Sequence, residues 1–302
     1  MKKTLAPSTV VTTRDSKGRH FISTVEDAYD KAELGEEEAQ RVNEAEGLAD
    51  LITNFIAENR TTDKFKDEEV KSSYSYLSGY KPKGLNEQCN KLRVLFSGIG
   101  FCNQDLLAQI EKGEVELPKH AEGWFAIPNW MKNPKIFGTT YSEAVQKVLN
   151  MIKQIRNGKF ENYREGQLDE KRLRQLARTQ KFFRDLSESQ GNPDILIVPA
   201  QFGIRHRGRS VRRAREVFLT NEFGLGAFAV GIMILTHPER LQHYDDLYID
   251  CAGDEYDDPG SDVRFDRAPY FRFFDGKVKF GTDYVGNADD RYGSASGLVP
   301  QQ

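Results

Sequence analysis

Apolar residues recur at three- and four-residue intervals over much of the first half of the chain, and this period predicts helices. The stripe Val42, Ala45, Leu48, Ala49, Ile52, Phe55 and Ile56 reads as one helix. A helical pattern precedes it from Thr24, with Thr24 and Asp27 as a capping pair and a break at Gly35. Val70, Tyr74 and Leu77 suggest a further helix that ends before the loop at 79–84. Leu85, Cys89, Leu92, Leu95 and Phe96 mark the next, stopped by Gly98, and Asn103 caps a short helix through Ile110. The text from Val115 to Phe137 changes to Pro, Trp and aliphatic residues, which suits an irregular or short extended segment. A capping box, Thr140-Tyr141-Ser142-Glu143, then opens a helix ended by Asn157-Gly158, and another long helix is expected from about Leu168 to Gln190.

Strand signals come later. Ile195-Leu196-Ile197-Val198 is a β-branched run between Pro193 and Pro199, and Leu247-Tyr248-Ile249-Asp250 is a second strand. Tyr270–Phe274 and Lys277–Phe280 flank Asp275-Gly276, a two-residue hairpin signal. The stretch from Gly226 to Leu235 is apolar on all sides and reads as a buried helix. The expected class is α+β: a helical N-terminal two thirds, with a small mixed sheet and a β-hairpin in the C-terminal third. The expected organisation is a flexible arm at 1–23, a helical subdomain at 24–113 and an α+β domain at 114–302.

Composition narrows the class without naming an activity. The chain has 302 residues, 38% of them hydrophobic and 29% charged, which excludes a wholly disordered chain and reads as a soluble, globular protein. The longest uncharged apolar run, Phe223 to Leu235, falls short of the roughly 20 residues that span a bilayer, so no membrane partner is expected. Three cysteines, Cys89, Cys102 and Cys251, lack zinc or disulfide spacing and read as structural thiols of a reducing compartment, cytoplasmic or inside a virion.

Net charge is −3, from 43 basic and 46 acidic side chains, but the charges are segregated. Arg205, His206, Arg207, Arg209, Arg212, Arg213 and Arg215 crowd one loop and helix start with no acid among them, a pattern suited to phosphate oxygens. Residues 153–184 hold ten basic and four acidic side chains; residues 26–46 hold nine acidic and two basic ones. The loop at 245–258 carries Asp245, Asp246, Asp250, Asp254, Glu255, Asp257 and Asp258 and no base. Two readings follow: a polyanion-binding face, or an internal network between the arginines and that acidic loop. The acidic and basic segments also suit head-to-tail self-association.

Local catalytic signals are weak. Gly224-Leu225-Gly226-Ala227-Phe228-Ala229 fits a loose dinucleotide fingerprint with Asp250 downstream, but Asn221 and Glu222 separate it from a strand. Leu95-Phe96-Ser97-Gly98-Ile99-Gly100 resembles the cofactor loop of cytosine-5 DNA methyltransferases over those six residues, while the Pro-Cys nucleophile dipeptide of that family is absent. A helix C-cap is the plainer reading. His237 and His243 stand six apart and read as structural, and the acidic loop does not follow an EF-hand, so neither a metal nor a cofactor is expected.

The polar arm and the Gly/Ser-rich tail at 293–297 are segments that a lone chain leaves unpacked, which suggests that partners hold both ends. The favoured expectation is a non-enzymatic component of an ordered intracellular or virion assembly, self-associating, with nucleic acid or another polyanion on the Arg205–Arg215 face. The alternative is an enzyme on a phosphorylated or nucleotide substrate, using that loop together with the Asp250–Glu255 loop.

Overall fold

The computed structural model describes residues 16–45, 47–59 and 64–300, which fall into two compact units, Met1–Ile52 and Thr53–Gln302. In the first unit, α1 (Ser16–Asp30) and α2 (Glu36–Glu44) precede α3 (Leu48–Asn59), which runs on across the unit boundary. The arm expected at 1–23 lies largely outside the described residues, and its last part belongs to α1. Thr24 is inside α1 rather than at its start, its hydroxyl donating back to the His20 carbonyl at 2.9 Å. The single stripe expected from Val42 to Ile56 is two helices, because Gly47 adopts a positive φ of 95° ahead of α3.

The second unit begins with an extended run. Residues 64–84 form no helix; their backbone bridges to Arg209 through Glu69 and to Asp246 through Ser75. Three apolar positions were too few to pay for a helix, and Val70 and Leu77 remain exposed. Next come α4 (Leu85–Leu95), α5 (Gln104–Glu111), β1 (Gly123–Pro128), α6 (Pro134–Phe137) and α7 (Tyr141–Ile155). Then follow β2 (Phe160–Asn162), β3 (Leu173–Gln175), α8 (Ala177–Ser189), β4 (Ile195–Gln201), α9 (Val211–Glu216), β5 (Glu222–Gly224) and α10 (Ala227–Thr236). The chain closes with β6 (Tyr248–Asp250), β7 (Asp254–Tyr256), β8 (Arg267–Phe274), β9 (Lys277–Tyr284), β10 (Tyr292–Ser294) and β11 (Ser296–Leu298).

This is a mixed α+β protein of ten α-helices and eleven strands among the described residues, and it corrects the expected distribution. The N-terminal two thirds are not purely helical: β1, β2, β3 and β4 lie there, and the strands build two sheets, not one small one. One sheet is antiparallel in the order β1-β4-β11-β5; the other has seven strands, with β10-β6-β8-β7-β3 along one path and β9 joining β8 to β2. The helix expected from Leu168 to Gln190 splits into β3 and α8, since Leu173–Gln175 pairs with β7 instead of continuing a helical turn.

The supposed tail is the link between the sheets. β10 runs parallel to β6 in the larger sheet, and after Ala295 the chain enters β11, between β4 and β5 in the smaller. Its small residues serve close packing: a Cβ on Gly293 would stand 2.3 Å from the Gly203 carbonyl, and one on Gly297 2.6 Å from the Phe223 ring. α10, buried at every residue, packs on α7, β1 and α4, and one continuous apolar core includes side chains from both sheets.

Candidate functional site

The Arg-rich segment leaves β4, makes a short turn at Ile204–His206 and enters α9, whose Ser210 hydroxyl caps it by accepting from the Arg213 amide at 3.1 Å. His206 and Arg213 are buried, Arg207 is exposed and the other arginines are half-buried. Each side chain has a protein acceptor. Glu222, fully buried, is the first centre: its carboxylate accepts from His206 Nε2 at 2.7 Å, Ser296 Oγ at 2.6 Å, the Leu219 amide at 3.2 Å and Arg205 Nε at 3.3 Å. Arg209 Nη1 lies 3.2 Å from His206 Nδ1 and has only protons to offer, so Nδ1 accepts and Nε2 carries the imidazole proton. Burial works to raise the Glu222 carboxyl, but His206, Arg205 and Ser296 outweigh it and hold it down to about 2. Burial keeps His206 below the ordinary histidine range, hence neutral.

Glu68 and Glu69 form the second centre. Arg212 grips Glu68 through Nε at 2.8 and 2.9 Å and lies over the Phe65 ring at 4.4 Å. Arg213 pairs with Glu69 and donates to the Lys64 carbonyl at 2.9 Å, while Arg209 Nε stands 3.3 Å from Glu69. Arg207 donates to the Tyr74 carbonyl at 3.0 Å. Arg215 turns the other way, to the Ala252 and Asp254 carbonyls at 2.9 and 2.6 Å and to Glu255 at 3.9 Å. Sequence reading missed Glu68, Glu69 and Glu222 as partners: the two adjacent glutamates stand just before the helix expected from Val70, and Glu222 is the single charge between Val217 and Leu235.

The acidic loop is folded inward too, and two of its acids pair with the basic 153–184 segment. β3 lies antiparallel to β7, setting Arg174 opposite Glu255 with a 2.7 Å ion pair, and Arg164 reaches Asp258 at 2.7 Å. Asp246 is buried and accepts from four backbone amides, those of Leu77, Ser78, Gln242 and His243. Asp254 caps α10, accepting from the Ala227 amide at 2.7 Å and the Tyr141 hydroxyl at 2.8 Å. This disposes of the dinucleotide fingerprint. The helix N-terminus that would hold a phosphate already holds a carboxylate, and a Cβ at Gly226 would meet it at 2.1 Å.

β4 and β6 stand in different sheets, so the Arg205–Arg215 and Asp250–Glu255 loops do not share a sheet edge; of the seven candidates, Arg215 reaches the acidic loop. Asp250 lines a recess of about 10 Å³ with Asp283, Asn287 and Asp289, room for one water and not for a phosphate. Among the described residues no three His, Cys, Asp or Glu side chains are drawn up to hold a metal, and no helix is long and apolar enough to cross a membrane. His237 is buried, its Nε2 accepting from the Lys83 amide at 3.0 Å, and burial lowers it to about 4. The Gly98 turn carries a φ of 89° after α4.

A different surface is left unsatisfied. In the first unit none of the residues of α2 is buried, and Ile22, Val25, Tyr29, Val42, Leu48 and Leu51 expose between 40% and 65% of their surface. Acidic side chains crowd the same helices, with Glu36, Glu37 and Glu38 in the first turn of α2, where they also suit the helix dipole. No family model, no curated protein and no solved structure matches this chain.

Proposed function

We propose that this protein is a non-enzymatic component of an ordered assembly, joined to its partner through the acidic, amphipathic helices of its N-terminal unit. The observation that carries the reading is the absence of any buried residue in α2, with large apolar side chains exposed along α1, α2 and the start of α3. Helices of this length gain little from propensity alone and owe most of their stability to a covered apolar face. The partner that fits is a protein groove with an apolar floor and a Lys/Arg rim, because residues 26–46 carry a net seven negative charges. Self-association with the basic 153–184 segment is less suited, since Lys153, Arg164, Arg174 and Lys181 there already pair within the chain. The Arg205–Arg215 face contributes to the fold in this reading, because a polyanion would have to displace Glu68, Glu69, Glu222 and Glu255.

The probe is a labelled amphipathic helical peptide of leucine and lysine, titrated by fluorescence anisotropy into the full chain. Binding is expected to weaken as salt rises and to fall at least about tenfold in the double variant Val42→Asp, Leu51→Asp, because each side chain is worth about 1.5–3 kcal/mol when covered. Thermal melting of the second unit should be unchanged. Equal binding by the double variant, or by a peptide of the same charge with its leucines scattered, overturns the proposal.

A further inference from the structure

Three cysteines that the sequence presents as unrelated are divided by the fold into a pair and a singleton. Cys89 stands on α4 and Cys102 in the turn before α5, and their Sγ atoms are 3.7 Å apart. Cys102 is fixed on both sides: its backbone bridges to Ile195 of β4, and Asn103 beside it caps α5 through the Leu106 amide at 2.9 Å. Cys251 belongs to the other sheet's edge of the core and is fully buried.

The two sulfurs are also chemically unequal. The Cys89 thiol donates its hydrogen to Cys102 Sγ, and Gln104 Nε2 donates to the same sulfur at 3.4 Å. Two donors converge on Cys102, so negative charge is stabilised there, whereas Cys89 holds its proton. The hydrogen bond from Cys89 lowers the Cys102 thiol to about 7, and the same bond, together with burial, pushes Cys89 far up. Cys251 is pushed up by burial and by the neighbouring Asp254 and Asp250. Cys89 and Cys102 are 8% and 5% exposed against 0% for Cys251, an opening that suits a small oxidant and not a bulky one.

We propose that Cys89 and Cys102 form a thiol–disulfide couple, a redox modification site at which a peroxide oxidises Cys102 and Cys89 resolves the product. The Cys102 thiolate attacks one oxygen of hydrogen peroxide; the O–O bond breaks, hydroxide leaves and a sulfenic acid forms. Cys89 Sγ then attacks that sulfur; the S–S bond forms, the S–O bond breaks and the hydroxyl departs with the Cys89 proton as water. The proton first lost by Cys102 converts the hydroxide to a second water. Two thiols give up two electrons and two protons, and the peroxide is reduced to two waters. Closing the gap to the disulfide length of about 2.05 Å takes side-chain rotation at Cys89, with Cys102 held in place by its backbone bridge.

The experiment treats the full-length protein with hydrogen peroxide, blocks remaining thiols with N-ethylmaleimide under denaturing conditions and maps the peptides by mass spectrometry. The expected product has lost two hydrogens, carries a Cys89–Cys102 cross-link and leaves Cys251 alkylated; dithiothreitol restores all three thiols. Cys89→Ser should arrest the reaction at a Cys102 sulfenic acid that dimedone captures when the chain is unfolded in its presence. Titrating the unmodified chain with hydrogen peroxide from below one equivalent upward needs no variant and should show the same cross-link. The proposal is overturned if Cys251 oxidises as fast as Cys102, if Cys102 accumulates as sulfenic or sulfinic acid without the cross-link, or if no thiol reacts.

Discussion

Replacing Glu222 by Gln lowers the stability of the chain by about 3–5 kcal/mol at neutral pH, the usual result of removing one member of a buried charged network. The carboxylate stands at 0% exposure and collects hydrogen bonds from His206, Ser296, Leu219 and Arg205. An amide of the same shape turns one acceptor into a donor facing donors, and it leaves the Arg205 guanidinium without its counter-charge. The effect has a pH signature. The folded-state value of about 2 lies below the ordinary 4.5, so the stabilisation is complete above pH 4.5 and disappears as pH falls through 2. That window is worth about 3 kcal/mol at 1.36 kcal/mol per unit. Urea unfolding of both proteins should therefore give curves separated at pH 7 and converging towards pH 2. A constant separation across that range would show that the network does not depend on the Glu222 charge.

The Glu222 centre also shows where sequence reading reached and where it stopped. Local signals were legible. The Thr140 capping box opens α7, with the Thr140 hydroxyl accepting from the Glu143 amide, and the all-apolar run at 226–235 is α10, buried at every residue. The hairpin around Asp275-Gly276 is present, longer than its signal, from Arg267 to Tyr284. What failed was anything decided by distant partners. β2 and β3 are three residues each, too short for any periodicity, and exist because β9 and β7 lie beside them. β1 is buried at all positions except Trp124, so it carries no alternation to read. Glycine and serine at 293–297 have the composition of a loose tail, yet Gly293 and Gly297 are small because the Gly203 backbone and the Phe223 ring crowd them.

The charges follow the same division. Their segregation along the chain was visible, but their pairing was not, because Arg212 and Glu68 lie 144 residues apart and Arg174 and Glu255 lie 81 apart. A run of arginines without acids nearby in sequence therefore described half of several internal ion pairs. Partly exposed pairs such as these are screened by solvent and carry little stability each, whereas the buried Glu222 network carries a great deal. Cys89 and Cys102 escaped notice for a similar reason: a spacing of 13 residues has no motif, and only the packing of α4 beside the turn before α5 brings the sulfurs together.

Asp250→Asn is expected to make the chain more stable in alkaline solution, the reverse of the Glu222 change. Asp250 ends β6 and is 7% exposed, and its carboxyl faces Asp283 and Asp289 across the recess. Those two are supported: Asp283 accepts from the Tyr284 amide and from Asn287, and Asp289 pairs with Arg291 at 3.2 Å. Burial first, then Asp283 and Asp289, push Asp250 up to about 8, with Arg215 pulling weakly the other way. A carboxyl raised from 3.8 to about 8 is protonated in the folded chain and ionised in the unfolded one at neutral pH. Its contribution is therefore intact below pH 3.8 and is lost progressively as pH rises through 8, a difference of about 6 kcal/mol at most. Asparagine keeps the shape and never ionises. Urea unfolding at pH 5 and pH 9 should show the wild-type chain losing several kcal/mol between the two, while Asp250→Asn loses much less and overtakes it at pH 9. The Glu222 window lies wholly at lower pH and does not interfere. Parallel pH dependences for the two proteins would mean that Asp250 is ionised in the folded chain, held by Arg215 in spite of its burial.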